Sequence, residues 1–298
     1  MWSTDNIIVL TGATASGKSA LALDIAQKQD AVIINADSMQ IYADLRILSA
    51  RPSEEEEQLA PHKLYGIYDG AQIGSAVQWA ELAAEEISKA RAANKLPIIV
   101  GGTGMYIKTL RYGIAQVPEI PVKIREQLRE QLSEMGNEKF HLWLSERDPI
   151  SAAKLFPGDS SRLLRAAEVW QATGICLSEW QKTNSTPPFP PEIYKIYALD
   201  MARELLYKRI NLRFEQMLEQ GALEEVEKLM QRKLANNLPI MRTLGVPELM
   251  RYLNKETSLD EAIEKAQTNS RHYAKRQLTW LRHQMTDTIW CQSNNINE

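Results

Sequence analysis

The run Gly12-Ala13-Thr14-Ala15-Ser16-Gly17-Lys18-Ser19 constrains this chain more than any other feature, because it completes the pattern G-x-x-x-x-G-K-S. Glycines there let backbone N–H groups curl around an anion at a helix N-terminus. The lysine adds a mobile positive charge, and the serine hydroxyl is placed to hold magnesium. The surroundings agree: Ile7–Leu10 is a short apolar β-run, and Ser19–Gln27 spaces Ala and Leu as a helix does. The bland alternative is a turn of small residues with an exposed lysine, but a chance match in a chain of this length is on the order of one in a hundred. The loop therefore specifies a di- or triphosphate without saying which.

A second apolar run, Ala31–Ile34, ends at Asn35-Ala36-Asp37-Ser38, and a third, Pro97–Val100, ends at Gly101-Gly102-Thr103-Gly104. Helical patterns separate them, Ala76–Ala92 among them. Such alternation predicts an α/β fold: a P-loop NTPase-like core with a parallel β-sheet flanked by helices, and ligands beyond the carboxyl ends of the strands. Residues 117–183 read as helical, with candidates at Val122–Met135, Glu138–Ser145, Pro149–Phe156 and Ser160–Ala172. The proline-rich stretch 186–191 cannot continue a helix and reads as an extended connector, after which Tyr194–Leu199 is a strand candidate. The expected organisation is a catalytic core of residues 1–116 and 190–298, interrupted by a small all-helical insertion domain of residues 117–189. Helices are expected at Arg203–Glu219, Leu223–Arg232, Gly245–Leu253, Leu259–Lys265 and Thr268–Gln284.

Composition removes several classes of function. A formal net charge of −3 disfavours binding nucleic acid by bulk positive charge, although residues 195–298 carry +2. Two cysteines, Cys176 and Cys291, cannot build a disulfide framework, which suits a reducing cytosol. The four histidines lack His-x-x-x-His spacing, so a protease-like zinc site is not expected. No stretch approaches the ~20 apolar residues of a membrane span, and the N-terminus lacks the basic and apolar regions of a signal peptide.

Asp37 ends the second strand, where a carboxylate accepts a proton from a nucleophile or sits in the outer shell of a metal; an Asp-Ser turn capping a helix is the equal alternative. Gly101–Gly104 repeats the theme of backbone amides, with the Thr103 hydroxyl, opening a helix toward a ligand, though a glycine-rich turn alone is weak evidence. Residues 270–282 hold four cations and no acid, with Ala274, Leu278, Leu281 and Met285 on one apolar stripe and Arg271, Lys275 and Arg282 along its edge. That helix is either a solvated face or, with Tyr273 and Trp280 among its cations, a contact for phosphate or single-stranded nucleic acid. Arg203, Lys208, Arg209 and Arg213 form a second basic stretch that can complete a phosphate pocket. Ser53-x-x-Glu56 is a capping box, and Trp79, Trp143 and Trp170 read as core.

Together these motifs resemble the tRNA dimethylallyltransferase family, also called tRNA isopentenyltransferase, in its short bacterial form. The resemblance covers nearly the whole chain: Gly12–Ser19, Asn35–Tyr42, Pro61–Leu64, Leu96–Tyr106, Asp159–Val169, Thr173-Gly174, Arg209–Gly221 and Ala274–Trp280. It implies that the loop Gly12, Ala13, Thr14, Ala15, Ser16, Gly17, Lys18 and Ser19 grips the diphosphate of dimethylallyl diphosphate, with Mg²⁺ on Ser19. It implies that Asp37 is the general base for the exocyclic amine of the adenine 3′ of a tRNA anticodon, that Arg213 and Lys18 neutralise the departing diphosphate, and that Thr103 positions the reacting groups. Asp37, Ser38, Met39, Gln40, Thr103, Arg125, Asp159, Ser160, Ser161, Arg162 and Leu163 would line the RNA side. The adenine would be flipped out of its stack into a channel, the helical insertion would grip the anticodon stem-loop, and the enzyme would act as a cytoplasmic monomer. Two segments depart from the family pattern: Leu244-Gly245-Val246-Pro247-Glu248 replaces Ile-Gly-Tyr-Lys-Glu, and Ser49-Ala50-Arg51-Pro52 replaces Gly-Thr-Ala-Lys-Pro. The rivals are a P-loop kinase, an adenylate isopentenyltransferase and a non-catalytic RNA-binding module.

Overall fold

A computed structural model of the chain describes residues 2–182 and 185–292. It divides into two compact units, residues 1–111 with 188–298 and residues 112–187. Both boundaries lie a few residues before those expected, the first of them at the end of the helix that opens at Gly104.

The first unit is built on β1 (Ile7–Gly12), α1 (Lys18–Lys28), β2 (Ala31–Asn35), α2 (Glu54–Leu59), β3 (His62–Lys63), α3 (Ala76–Ala92), β4 (Leu96–Val100) and α4 (Gly104–Tyr112). After the second unit the chain returns as β5 (Tyr194–Leu199), α9 (Arg203–Glu219), α10 (Ala222–Gln231), α11 (Val246–Leu253), α12 (Leu259–Gln284) and β6 (Ile289–Cys291), the labels α5–α8 belonging to the unit between. The strands form one sheet in the order β3-β2-β4-β1-β5-β6, and each neighbouring pair is parallel. Every residue of β1, β2 and β4 is buried, as a sheet covered on both faces requires. Alternation sorts their side chains: Ile7 and Val9 join one core with Ile34, Trp79 and Ile99, while Ile8 and Leu10 join another with Ile33 and Ile98. Trp79 is fully buried, donates its indole N–H to the Asn35 carbonyl at 2.7 Å and stacks on Tyr106 at 4.5 Å. It therefore props the end of β2, from which Asp37 follows.

Two features differ from expectation. The short edge strands β3 and β6 carry too few residues for a periodic signal, and each forms by pairing with a neighbour, β2 or β5. The last two predicted helices are one continuous α12. Its buried face carries Gln267, Ser270 and Gln277 among Ala266, Ala274 and Leu281, so the apolar periodicity breaks where the helix does not. Gln267 there donates to the Asn211 carbonyl and the Glu215 carboxylate, which satisfies its buried amide.

The second unit is helical: α5 (Val122–Ser145), α6 (Pro149–Ala152), α7 (Ser160–Thr173) and α8 (Leu177–Trp180). Gly136, at φ 72°, interrupts α5 where the sequence separated two helices. The predicted helix Pro149–Phe156 ends early, at Ala152. Leu128, Phe140, Leu144, Leu163, Ala166 and Ala167 make its core.

Candidate active site

The loops after β1, β2 and β4 meet at the carboxyl ends of these parallel strands. Gly12 and Gly17 adopt φ of +132° and +97°, conformations that a side chain resists, and Gly17 is the N-cap of α1. Ser53, Ser75 and Ser258 close capping boxes at the starts of α2, α3 and α12, whereas α1 has no side-chain cap and no acid in its first turn. Its leading N–H groups are thus left for a ligand, and the positive end of the helix faces the loop. Lys18 donates to the carbonyls of Gly12 at 3.2 Å and Ala13 at 2.7 Å. Burial lowers its ammonium to a pKa of about 8, against the pull of the Asp37 charge, with Arg213 lowering it further. Ser19 is exposed on the wall of the cavity in front of the loop.

Asp37 is held by its own turn. Its N–H donates to the Asn35 side chain at 2.8 Å, and its Oδ1 accepts the Met39 N–H at 2.9 Å. Asn35 in turn donates to the carbonyls of Asp37 and Leu64, both at 3.0 Å. The Thr103 hydroxyl accepts the Ser38 N–H at 3.0 Å and lies 3.3 Å from the Ser38 Oγ, tying the β4 loop to the β2 loop.

The Gly101–Gly104 loop differs from the ligand cradle expected of it. The Gly101 N–H donates to the Leu10 carbonyl and the Thr103 N–H to the Ala36 carbonyl, so these amides serve the fold. A Cβ on Gly101 would lie 2.2 Å from the Ala36 carbonyl, one on Gly102 would lie 2.0 Å from Gln277 Nε2, and one on Gly104 would lie 2.1 Å from the Trp280 ring. Glycine is needed because β2 and α12 approach closely. Gln277 exploits the gap: its Oε1 accepts the Thr14 N–H at 2.8 Å and its Nε2 donates to the Gly102 carbonyl at 3.1 Å. One buried side chain of α12 therefore clamps both glycine-rich loops.

Spacing of four residues puts Arg209 and Arg213 on one face of α9. Arg213 donates to the Thr14 hydroxyl at 2.5 Å; burial lowers its pKa, and Asp37 counters that shift. Both arginines line the cavity of about 650 Å³ before the loop, together with Lys18, Arg46 and Arg51. Lys208 is exposed, and the exposed Arg203 lies over the Tyr207 ring, outside this group. A second cavity of about 380 Å³ is partly apolar, with Leu48, Phe214, Met217 and Leu244 in its wall and Arg242 and Arg276 beside them. Thr14, Asp37, Ser49, Arg213 and Met217 line both cavities. A carboxylate thus stands where a cationic chamber adjoins a partly apolar one.

The remaining predicted site residues divide between the units. Ser38 and Met39 line the second cavity, while the Gln40 amide donates to the carbonyls of Ser49 and Ala50 and so shapes the backbone. Arg125 is half-buried on α5, with its Nε buried and lacking a hydrogen-bond partner. Asp159 is the N-cap of α7, Ser160 donates to Asn137 at 3.2 Å, and Ser161 and Arg162 are exposed. Leu163 is fully buried in the helical unit, so its side chain packs the core and is not presented to RNA.

A sequence model of the family described as IPP transferase matches residues 40–284. The chain belongs to the IPP transferase family. Among relatives of this IPP transferase, the tRNA dimethylallyltransferase of Azorhizobium caulinodans is 49% identical over 280 residues, which covers 94% of this chain and 90% of that one. The protein of the same name from Rhodopseudomonas palustris is 47% identical over 283 residues, 95% of this chain and 88% of that one. Of solved structures, the tRNA isopentenylpyrophosphate transferase of Bacillus halodurans superimposes with a TM-score of 0.70 at 31% identity, covering 97% of this chain and 90% of that one. A eukaryotic dimethylallyltransferase acting on tRNA gives a TM-score of 0.81 at 27% identity, covering 98% and 75%. The sequence of this IPP transferase gives no signal for the clamp at Gln277, since a glutamine within a basic helix carries no motif of its own.

Proposed function

We propose that this IPP transferase moves the dimethylallyl group of dimethylallyl diphosphate to N6 of the adenosine 3′-adjacent to the anticodon, position 37, in tRNA, releasing diphosphate. The observation that carries the reading is the place of Asp37 on the wall common to the two cavities. The diphosphate fits the cationic chamber, against the uncapped start of α1 and the charges of Lys18, Arg209 and Arg213. The adenine, flipped out of the anticodon loop, enters the partly apolar chamber and brings N6 to Asp37. As N6 attacks the allylic carbon, the C–O bond to diphosphate breaks, its electron pair leaves with the diphosphate, and the N6 proton passes to the Asp37 carboxylate. An aromatic amine is a weak nucleophile, so removing that proton as the bond forms lowers the barrier. Lys18 and Arg213 stabilise the charge that grows on the leaving group. Thr103 is a positioning residue that fixes the Asp37-Ser38 turn.

Among the described residues no group of three His, Cys, Asp or Glu is arranged to hold a metal ion. The exposed Ser19 hydroxyl beside the phosphate chamber fits a Mg²⁺ ligated mainly by substrate and water oxygens, as is usual for that ion. Bound there, Mg²⁺ supplies charge neutralisation to the diphosphate. On the RNA side we assign Asp37, Ser38, Met39 and Thr103 of the first unit and Arg125, Asp159, Ser160, Ser161 and Arg162 of the helical unit, recognition resting on shape and local cations. No helix among the described residues is long and apolar enough to cross a membrane.

The test is transfer of label from radiolabelled dimethylallyl diphosphate, with Mg²⁺, to unmodified tRNA, with parallel reactions offering AMP or replacing the donor with labelled ATP. Label recovered as N6-dimethylallyladenosine from digested tRNA is expected. Label in AMP alone would assign a free-nucleotide prenyltransferase, and phosphate transfer from ATP without prenylation would assign a kinase.

A further inference from the structure

The segment between β2 and α2 forms a strap along both chambers, giving Leu48 and Ser49 to one and Arg46, Ser49 and Arg51 to the other. Its far side meets α10. There the Glu225 carboxylate accepts three successive backbone N–H groups: Arg46 at 2.5 Å and Ile47 at 2.8 Å on Oε1, and Leu48 at 2.9 Å on Oε2. Three consecutive amides converging on one point make an anion nest, here filled by the protein's own carboxylate. Hydrogen bonds to an ionised acceptor are the strong kind, so this contact dominates the shape of the turn. A second tie lies just past α10, where Arg232 pairs with Asp44 and, at 2.8 Å, with Asp69. Within the strap the Gln40 amide bridges the Ser49 and Ala50 carbonyls, and the Arg51 N–H donates to the Arg46 carbonyl at 3.0 Å. The amides of residues 46–48 are thus held outward, and the side chains of Leu48 and Ser49 are carried to the chamber walls.

We infer that Glu225 is a positioning residue for prenyl transfer, acting through the strap amides and touching neither reactant. The inference rests on the reading of the chambers given under the proposed function. By holding the strap from behind, Glu225 sets the wall at which donor and acceptor meet. Displacing such a wall by about 1 Å is enough to cost on the order of 100-fold in rate.

The test uses full-length Glu225→Ala and Glu225→Gln, compared with wild type by thermal unfolding, amide hydrogen exchange, calorimetric binding of inorganic diphosphate, and steady-state transfer kinetics. For Glu225→Ala the expected result is cooperative unfolding, lost protection at residues 46–48 with β1 and β4 still protected, and a fall of about 10- to 100-fold in kcat/KM with a raised donor KM. Glu225→Gln should lie between, since its carbonyl still accepts while its amide faces an N–H; it carries the test if the alanine variant does not fold. Exposure of the strap amides with kcat and KM unchanged would overturn the inference, as would a loss matched by the unfolded fraction alone. If the wild type transfers no prenyl group, the proposed function fails and the role in prenyl transfer falls with it, and the diphosphate arm then decides only whether Glu225 shapes the phosphate chamber: an affinity about tenfold weaker in Glu225→Ala shows that it does, an unchanged affinity that it does not.

Discussion

The loops after β1 and β4 are alike in composition, both rich in glycine and each leading from a buried strand into a helix, yet their glycines answer different demands. In the β1 loop, Gly12 and Gly17 are required by positive φ, and the amides they release face a chamber. In the β4 loop, Gly101, Gly102 and Gly104 are required by what lies against them: the Ala36 backbone, Gln277 and Trp280. The first loop opens on a chamber, where we place the ligand, and the second is shaped by its neighbours in the fold. A glycine-rich turn therefore carries functional meaning only once its surroundings are known.

The largest effect that would break this contrast concerns charge. Lys18→Met and Asp37→Asn should each lower kcat/KM for prenyl transfer by about 10²- to 10⁴-fold with thermal stability near wild type, as measured by steady-state kinetics and calorimetric unfolding. Wild-type rates in either variant would show that the β1 loop and the Asp37 turn are structural like the β4 loop.

Next come the glycines. Gly101→Ala drives a Cβ into backbone, and overpacking of that kind costs about 1–3 kcal/mol or more, so its unfolding midpoint in urea should fall while the folded protein still binds diphosphate. Gly17→Ala meets nothing closer than Arg209 at 3.7 Å and is strained by its φ alone, about 1–2 kcal/mol, yet it should weaken diphosphate binding more than Gly101→Ala does. The reverse ranking in binding would erase the distinction.

The pH dependence sharpens it further. Lys18, lowered by burial to a pKa of about 8, is charged below that value and neutral above it in the free protein, whereas the unfolded chain keeps the proton up to the ordinary lysine range. Diphosphate affinity should therefore decline above about pH 8, with proton uptake on binding. The stability lost to burying the charge is recovered as pH rises from about 8 toward the ordinary value. Calorimetric titrations in buffers of different ionisation enthalpy read the uptake, which Lys18→Met should abolish.

The smallest effect tests the link between the loops. Gln277→Leu removes both hydrogen bonds of the clamp and should destabilise the fold by about 1 kcal/mol while raising the donor KM several-fold. An unchanged donor KM would mean that the two loops are set independently.

Much of this arrangement is legible in the sequence because it follows from local rules. The β1–loop–α1 signature, the capping box at Ser53 and the pairing of Arg209 with Arg213 all arise from neighbours a few positions apart. The reason for Gly102 and Gly104, the clamp at Gln277 and the nest around Glu225 depend on residues separated by 175 to 263 positions, which spacing does not encode. The burial of Leu163 belongs with these, since a leucine in a motif and a leucine in a core look the same in one dimension.

The hydrogen bonds from Lys18 to the Gly12 and Ala13 carbonyls make the resting loop a latch closed upon itself. An arriving anion must exchange with those contacts, so the heat released on binding is the difference between the new bonds and the old. A single phosphate has fewer oxygens to offer in that exchange than two linked ones. Diphosphate should therefore bind this loop more tightly than inorganic phosphate does, a ranking that calorimetric titration of the two anions reads.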